Sequence, residues 1–235
     1  MFRVRRAFIA ASFVALALAG CAAQIARPPV DEQQRPAEFP DNFYQQLAQR
    51  GAVVWQIDPA RSLVVIEVRR AGSLAKLGHD HVVASHDVRG YVAPNDARAD
   101  LYVQLDQLAV DEPDLRAQAA FETQPSEAQI AGTRENMLRQ FNAENHPYAV
   151  ISVVGMDADA ADPRLNASIT LNGVTQAVRI PVKIEKTAHQ LTVTGHVAVA
   201  QTAFGITPYS IFGGALQVQD QVDVRFAILA RSILP

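Results

Sequence analysis

Hydrophobic and polar positions alternate with a period of two over most of residues 52–235, which is the pattern of β-strands with one dry and one solvated face. Because every such dry face must be covered, the pattern predicts an all-β antiparallel fold of about eight strands, either a closed barrel or two packed sheets. The dry faces are Val64, Ile66 and Val68; Leu101, Val103 and Leu105; Leu165, Ala167, Ile169 and Leu171; Val178, Ile180, Val182 and Ile184; Leu191, Val193, Val197 and Val199; and Val222, Val224, Phe226 and Ile228.

Three local signals interrupt or end these strands. Asn172-Gly173 supplies the positive φ angles of a tight hairpin turn. Pro181 lacks an amide donor, which predicts a sheet edge or a bulge. Residues 125–141 have apolar positions at helical spacing, with Pro125 in the first turn, so we expect a helix that covers one end of the barrel.

The N-terminus has the layout of an export signal. Arg3, Arg5 and Arg6 precede an apolar run of 13 residues from Ala7 to Ala19, which is shorter than the roughly 20 residues of a membrane-spanning helix. Residues 18–21, Leu-Ala-Gly-Cys, resemble the bacterial lipobox. We therefore predict that residues 1–20 are a lipoprotein signal peptide and that Cys21 is acylated after cleavage.

Acylation of Cys21 would anchor the protein permanently to a membrane, since each buried methylene contributes about 0.8 kcal/mol. Ala22 follows the cysteine where an aspartate would be an inner-membrane retention signal, so we expect attachment to the outer membrane, facing the periplasm. The alternative is a secreted protein with one unmodified cysteine. Cys21 is the sole cysteine, so no internal disulfide can hold the fold.

The composition adds a domain boundary and one exclusion. The whole chain has a net charge of −3, and loss of three arginines with residues 1–20 leaves −6, which argues against nucleic-acid binding. Residues 21–51 are polar and contain four prolines, which predicts a tether. Phe43 and Leu47 suggest a short helix at residues 41–49 within it. Residues 52–235 then form one domain.

Four stretches, in order, resemble the YceI-like domain family. They are Trp55 to Val68 with Ile57-Asp58-Pro59; Asn136 to Tyr148; Leu171 to Val178; and Ala203-Phe204-Gly205-Ile206 followed by Val218 to Ile228. The resemblance spans about Val53 to Ser232, and it departs from the family at Gln176 and Ala177, where lysine and proline are more usual. It implies a lipocalin-like antiparallel β-barrel with a long apolar tunnel for an isoprenoid lipid or a similar amphiphile.

Apolar positions on the predicted dry faces are the candidate walls of such a tunnel. Branched and aromatic side chains bury large apolar areas, at roughly 25 cal/mol per Å², and so hold a hydrocarbon chain without many polar contacts. The candidate wall residues are Val64, Ile66, Val68, Leu101, Val103, Phe141, Phe204 and Phe212.

Residues 77–83 depart from the family pattern because they contain His79 and His81. On a strand these two side chains share one face, with β-carbons roughly 6 to 7 Å apart. Three interpretations follow: a hydrogen-bonded polar patch at a barrel mouth with Asp80 and Ser85, a grip on a polar ligand head group, or a transition-metal or haem site. A head-group site predicts that anion binding strengthens as the pH falls, whereas a metal site predicts the reverse.

The predicted function is binding rather than catalysis. The chain has no Gly-x-Ser-x-Gly elbow, no phosphate-binding glycine loop and no His-Glu-x-x-His helix, so the common hydrolase signatures are absent. We expect a hydrophobic small-molecule ligand, membrane contact through the lipid anchor and no nucleic-acid partner. The alternatives are a metal- or haem-binding envelope protein that uses His79 and His81, and a structural lipoprotein whose barrel is filled by side chains.

Overall fold

The computed structural model of the protein describes residues 35–157 and 163–232. The predicted signal peptide, Cys21 and residues 21–34 of the tether lie outside these ranges. No helix among the described residues is long and apolar enough to cross a membrane. The helices of the described part are α1 (Asp41–Gln49), α2 (Pro113–Gln118) and α3 (Glu127–Gln140).

Strands contain more of the described residues than helices do, and they vary from two to thirteen residues in length. Their bounds are β1 (Trp55–Ile57), β2 (Leu63–Val68), β3 (Arg70–Ala71), β4 (His81–Ser85), β5 (Val88–Ala93), β6 (Arg98–Gln104), β7 (Ala109–Val110), β8 (Tyr148–Asp157), β9 (Arg164–Leu171), β10 (Val174–Lys186), β11 (Gln190–Ala200), β12 (Ser210–Ile211), β13 (Leu216–Val218) and β14 (Gln221–Ser232).

These strands close into an eight-stranded antiparallel barrel, which confirms the predicted fold class and excludes two separate sheets. Two barrel positions are each shared by consecutive short strands, β1 with β2 and β4 with β5. The other six positions around the barrel are, in order, β6, β8, β9, β10, β11 and β14. Strand β14 closes the ring because it pairs with β1 at Ala230↔Ile57 and with β2 at Phe226↔Val64.

Two of the predicted local signals, the hairpin turn and Pro181, concern β10. Asn172 and Gly173 have φ angles of 52° and 73°, so the predicted tight turn is confirmed. Pro181 lies inside β10, where β10 changes partners: its ladder to β9 ends there, and its ladder to β11 begins at Val182. Pro181 has no partner on the β11 side, so on that side it lies at an unpaired edge, as its missing amide predicted. Leu105 lies in a 3-10 turn after β6 rather than on the strand.

Gly90 permits the close approach of β5 and β6. Its φ is 147°, and a β-carbon placed there would lie 2.1 Å from the carbonyl oxygen of Asp100. Gly195 has a different role on the inner face of β11, because it pairs directly with Phe226 of β14. A β-carbon at Gly195 would lie 2.5 Å from the Phe226 ring, so the ring occupies the space over the glycine.

Helix α3 confirms the helix predicted for residues 125–141. It begins with a capping box, in which the Ser126 hydroxyl accepts from the Gln129 amide and the Gln129 side chain accepts from the Ser126 amide. Pro125 therefore precedes the cap rather than lying in the first turn. Met137 is buried in the main core, and Phe141 packs against it, so the helix covers the barrel end at which β4 begins.

Helix α1 packs on the outside of the barrel, although its residues were predicted to belong to the tether. Tyr44 is 1% exposed and donates a hydrogen bond of 2.8 Å to Asp100. Asp100 also accepts from Arg98 at 2.9 Å and from Ser152 at 2.6 Å. The Tyr44 ring stacks on Tyr91 at 5.1 Å. The folded unit therefore includes residues 41–49, and the predicted boundary at residue 52 lies too far along the chain.

Candidate functional site

An apolar cavity of about 570 Å³ lies inside the barrel. Side chains from β2, β4, β5, β6, β8, β9, β10, β11 and β14 line it, together with the face of α3 that covers one end. Nearly all of these side chains are aliphatic or aromatic. The volume lies within the range of roughly 300 to 1,000 Å³ that is typical of small-molecule pockets.

Seven of the eight predicted wall residues lie on this cavity, and so does His81. They come from four separate segments of the chain, which the barrel brings together because each contributes its inward-facing positions. These seven are Val64, Ile66, Val68, Leu101, Val103, Phe141 and Phe204.

Phe212 is not part of the wall, and its prediction is wrong. Its side chain is 73% exposed, and its backbone has a φ of 52° in the turn at residues 212–214. This turn follows β12, which belongs to a small three-stranded sheet with β13 and β3. A left-handed turn breaks the alternation of inward and outward side chains on which the prediction depended.

His81 is the first residue of β4, and a buried carboxylate fixes its side chain. Nδ1 of His81 lies 2.6 Å from Oδ2 of Asp111. The Asp111 side chain is 0% exposed, and its Oδ1 accepts from the Val82 amide at 3.0 Å and from Arg116 at 2.5 Å. Arg116 also donates to the Asp80 carbonyl at 2.6 Å. The imidazole therefore has one orientation relative to the cavity.

The same contacts determine which His81 nitrogen carries the proton. Burial alone would raise the pKa of Asp111, but the hydrogen bonds from His81, the Val82 amide and Arg116 hold this pKa below its usual value. Asp111 is therefore a carboxylate, and Nδ1 of His81 donates to it. Nε2, on the opposite edge of the ring, has no hydrogen-bond partner among the described residues, and His81 is one of the residues that line the cavity.

The sequence predicted that His79 and His81 share one strand face. This is wrong, because β4 begins only at His81. The two ring centroids are 6.3 Å apart, but His79 lies in the loop before the strand and does not line the cavity. Its Nε2 lies 3.0 Å from the side-chain Nε2 of Gln129 on α3. Burial, followed by the charges of His81, Arg116 and Arg70, lowers the pKa of His79. His79 is therefore neutral at neutral pH.

The other residues of the predicted polar patch have separate partners. Asp80 accepts from the Arg70 amide at 2.9 Å, and outside that patch His86 pairs with Glu112 at 2.7 Å on the surface. Ser85 lines the cavity. Within residues 35–157 and 163–232, no group of three or more His, Cys, Asp or Glu side chains is arranged to hold a metal ion. Metal binding by His79 and His81 stays a prediction.

Two basic residues line the cavity at the end opposite to His81. Arg98 begins β6, and its guanidinium pairs with Asp100 at 2.9 Å. Lys186 ends β10, and its ammonium lies 5.5 Å from the centroid of the Trp55 ring. The cavity thus has an apolar middle and a basic group at each end.

Sequence reasoning missed Asp111 and Arg116. The available signal was an acidic residue directly after the apolar pair of β7 and just before Pro113, which begins α2. Nothing in the local pattern connects that residue with a histidine 30 positions earlier. The contact exists because β7 pairs with β4 in the folded protein.

Comparison with known families and solved structures identifies proteins that this chain is similar to. The family model of the YceI-like domain matches residues 55–230. The chain is similar to the crystal structure of Burkholderia cenocepacia BcnA, with 15% identity, a TM-score of 0.48, and coverage of 74% of this chain and 98% of BcnA. It is also similar to the Campylobacter jejuni YceI protein, with 13% identity, a TM-score of 0.41, and coverage of 62% and 81%. No curated protein matches the chain.

Proposed function

Since the chain belongs to the YceI-like domain family, we propose that it binds one hydrophobic or amphiphilic ligand, such as an isoprenoid lipid, inside its barrel. The observation that carries this proposal is the apolar cavity of about 570 Å³. A purely structural lipoprotein requires no such space, because a small barrel can be filled by its own side chains. The cavity favours a carrier over that alternative.

The chemistry of the wall supports a ligand with a long hydrocarbon part. Burial of apolar surface contributes roughly 25 cal/mol per Å², or about 0.8 kcal/mol for each methylene. A chain of several isoprene or methylene units therefore gains affinity without specific polar contacts. The scarcity of polar groups in the middle of the cavity also disfavours a wholly polar ligand, whose hydrogen bonds to water would not be replaced.

The spacing of Ser85 and His81 provides no nucleophile–base pair on β4, which supports binding rather than catalysis. Ser85 is the hydroxyl residue of β4 that lines the cavity, and it lies four residues along the strand from His81. At about 3.3 Å per residue the two are roughly 13 Å apart, far beyond the hydrogen-bond distance of a nucleophile and its base. We therefore propose that the protein is not an enzyme.

The proposed location is the periplasmic face of the outer membrane, with the lipid anchor on Cys21. The export signal and the lipobox-like residues 18–21 support this location. Such an anchor would keep the cavity close to a bilayer, which is where hydrophobic ligands of this kind reside.

Blocking the cavity tests the proposed function. Ala99 lines the cavity on β6, so Ala99→Phe should place a ring in the space that the ligand occupies. Protein purified without detergent is titrated with the fluorescent apolar probe N-phenyl-1-naphthylamine. We expect Ala99→Phe to bind the probe about tenfold more weakly, or worse, since overpacking of a filled cavity costs roughly 1 to 3 kcal/mol.

Ala177→Phe is the matched control, because Ala177 is exposed on the outer face of β10 and the substitution is identical. It should bind the probe as the native protein does. The melting temperature of each variant reports whether the barrel is intact. Equal probe binding by a folded Ala99→Phe variant and the native protein would show that the cavity is not the binding site.

A further inference from the structure

The charged side chains on the cavity wall share one sign. His81 lies at one end, and Arg98 and Lys186 lie at the other, while none of the described residues that line the cavity is acidic. The charge of Arg98 is already paired with Asp100. Since apolar walls focus the field of the charges that they enclose, the ends of the cavity attract negative rather than positive ligand groups.

Around His81 the fixed charges are balanced before the histidine itself is counted. Asp111 forms a buried ion pair with Arg116 at 2.5 Å, and Asp80 pairs with Arg70 at 3.6 Å. His79 is neutral at neutral pH, as shown above. A proton on Nε2 of His81 therefore adds a positive charge for which the surrounding described residues provide no remaining counter-charge.

We propose that Nε2 of His81, oriented by Asp111 and Arg116, is a head-group subsite that binds the anionic end of an amphiphile, a carboxylate or a phosphate. This inference rests on the proposed function, since the hydrocarbon part of the same molecule occupies the apolar cavity. A protonated imidazole donates a charge-assisted hydrogen bond to such an oxygen, and these bonds are about twice as strong as neutral ones. The ligand thereby supplies the missing negative charge.

The buried carboxylate makes His81 better suited to this role than Lys186. Asp111 holds the ring in place through Nδ1, so the imidazole is positioned before the ligand arrives, and little side-chain entropy is lost on binding. Lys186 is exposed on a flexible stem. We therefore expect an anionic head to lie at the His81 end of the cavity rather than at the Lys186 end.

The subsite also predicts a pH dependence. The charged or titratable groups around His81 are Asp111, Arg116, His79, and the pair of Asp80 with Arg70. Of these, only histidine ordinarily changes charge between pH 5 and 8. Because His81 must carry a second proton to donate from Nε2 to an anion, the affinity for an anionic head should rise as the pH falls.

Two probes with the same chain separate head-group recognition from hydrocarbon binding. Dodecyl phosphate and dodecan-1-ol are titrated calorimetrically into the purified protein at about pH 5.5 and about pH 8, on either side of the ordinary histidine range. We expect the native protein to prefer the phosphate by about tenfold or more at the lower pH, and less at the higher pH. His81→Gln should lose this preference and keep its affinity for the alcohol.

His86→Gln and Lys186→Gln are the matched controls, the first on a surface histidine and the second on the basic residue at the other end. Both should keep the preference. If Lys186→Gln abolishes it and His81→Gln does not, the head-group assignment is wrong. Equal binding of both probes by the native protein at both pH values overturns the subsite and leaves the proposed function intact. Binding of neither probe overturns both. The comparison of two pH values needs no variant and holds if His81→Gln fails to fold, because the second ionisation of the phosphate, at about pH 6, would strengthen its binding at the higher pH instead.

Discussion

Substitution of Asp111 by asparagine should lower the free energy of unfolding by about 3 to 5 kcal/mol at neutral pH, the usual cost of breaking a buried ion pair by removing one partner. The Asp111 side chain is fully buried, and it accepts hydrogen bonds from His81, the Val82 amide and Arg116. Asparagine has nearly the same size and tolerates the left-handed φ of 59° at this position. The loss of unfolding free energy therefore measures removal of the negative charge rather than a change in backbone conformation.

The effect should depend on pH in a defined direction. Burial would raise the pKa of Asp111, but its hydrogen bonds lower it, so the folded-state pKa lies below the unfolded value of about 3.9. A lowered pKa stabilises the native state above the unfolded pKa, and this stabilisation is lost as the pH falls through the folded pKa. The advantage of the native protein over Asp111→Asn is thus complete above about pH 4 and shrinks below it.

Urea unfolding followed by the fluorescence of Trp55, the single tryptophan, measures both quantities. Glu112→Gln is the matched control, because Glu112 pairs with His86 on the surface and such pairs contribute about 0 to 1 kcal/mol. A difference of less than about 1 kcal/mol between native and Asp111→Asn proteins at neutral pH would refute the reasoning about the buried pair. A difference that stays constant down to about pH 3 would refute the reasoning about its protonation.

Two further predictions concern α1 and the anchor. Tyr44→Phe removes the hydroxyl that donates to the buried Asp100, so we expect a loss of about 1 to 3 kcal/mol in the same urea assay, and an unchanged midpoint would contradict the contact. Cys21→Ser should release the protein from membranes or stall its processing, as measured by fractionation and by the mass of the product. A correctly cleaved Cys21→Ser protein that remains in the membrane fraction would show that Cys21 is not the anchor.

The cavity wall was predictable because it depends only on the parity of positions along each strand. Val64, Ile66 and Val68 are the second, fourth and sixth residues of β2, and all three line the cavity. The same parity holds on β11 across Gly195, where the Phe226 ring supplies the missing bulk. The inward-facing positions are apolar along the whole length of a strand, so they produce a strong periodic signal in the sequence.

The sequence did not predict what covers the outer face of the barrel. Asp100 and Tyr102 alternate with the inward-facing residues of β6, so they have the pattern of solvent-facing positions, yet both are buried. Tyr44 on α1 pairs with Asp100, and the ring of Phe39 packs against Tyr102 at 4.8 Å. These contacts join segments more than 50 residues apart, and no local period records them.

For a related reason, the inward direction of His81 could be predicted from the sequence, whereas the rest of the polar site could not. His81 lies on a regular strand, and its inward direction follows from pairing with Val68. His79 and Phe212 lie in turns, where side-chain direction depends on individual φ and ψ angles rather than on parity. Asp111 entered the site only through the pairing of β7 with β4.

The central claim is that the barrel holds a ligand, and mass spectrometry of organic extracts tests it most directly. The native barrel, Ala99→Phe and Ala177→Phe, each with Cys21→Ser so that the lipid anchor is absent, are purified without detergent and extracted in parallel. We predict that the native protein and Ala177→Phe release about one hydrophobic or amphiphilic molecule per chain, as one small-molecule pocket allows, and that Ala99→Phe releases far less. A native extract that contains no such molecule beyond the amount released by Ala99→Phe would contradict the claim.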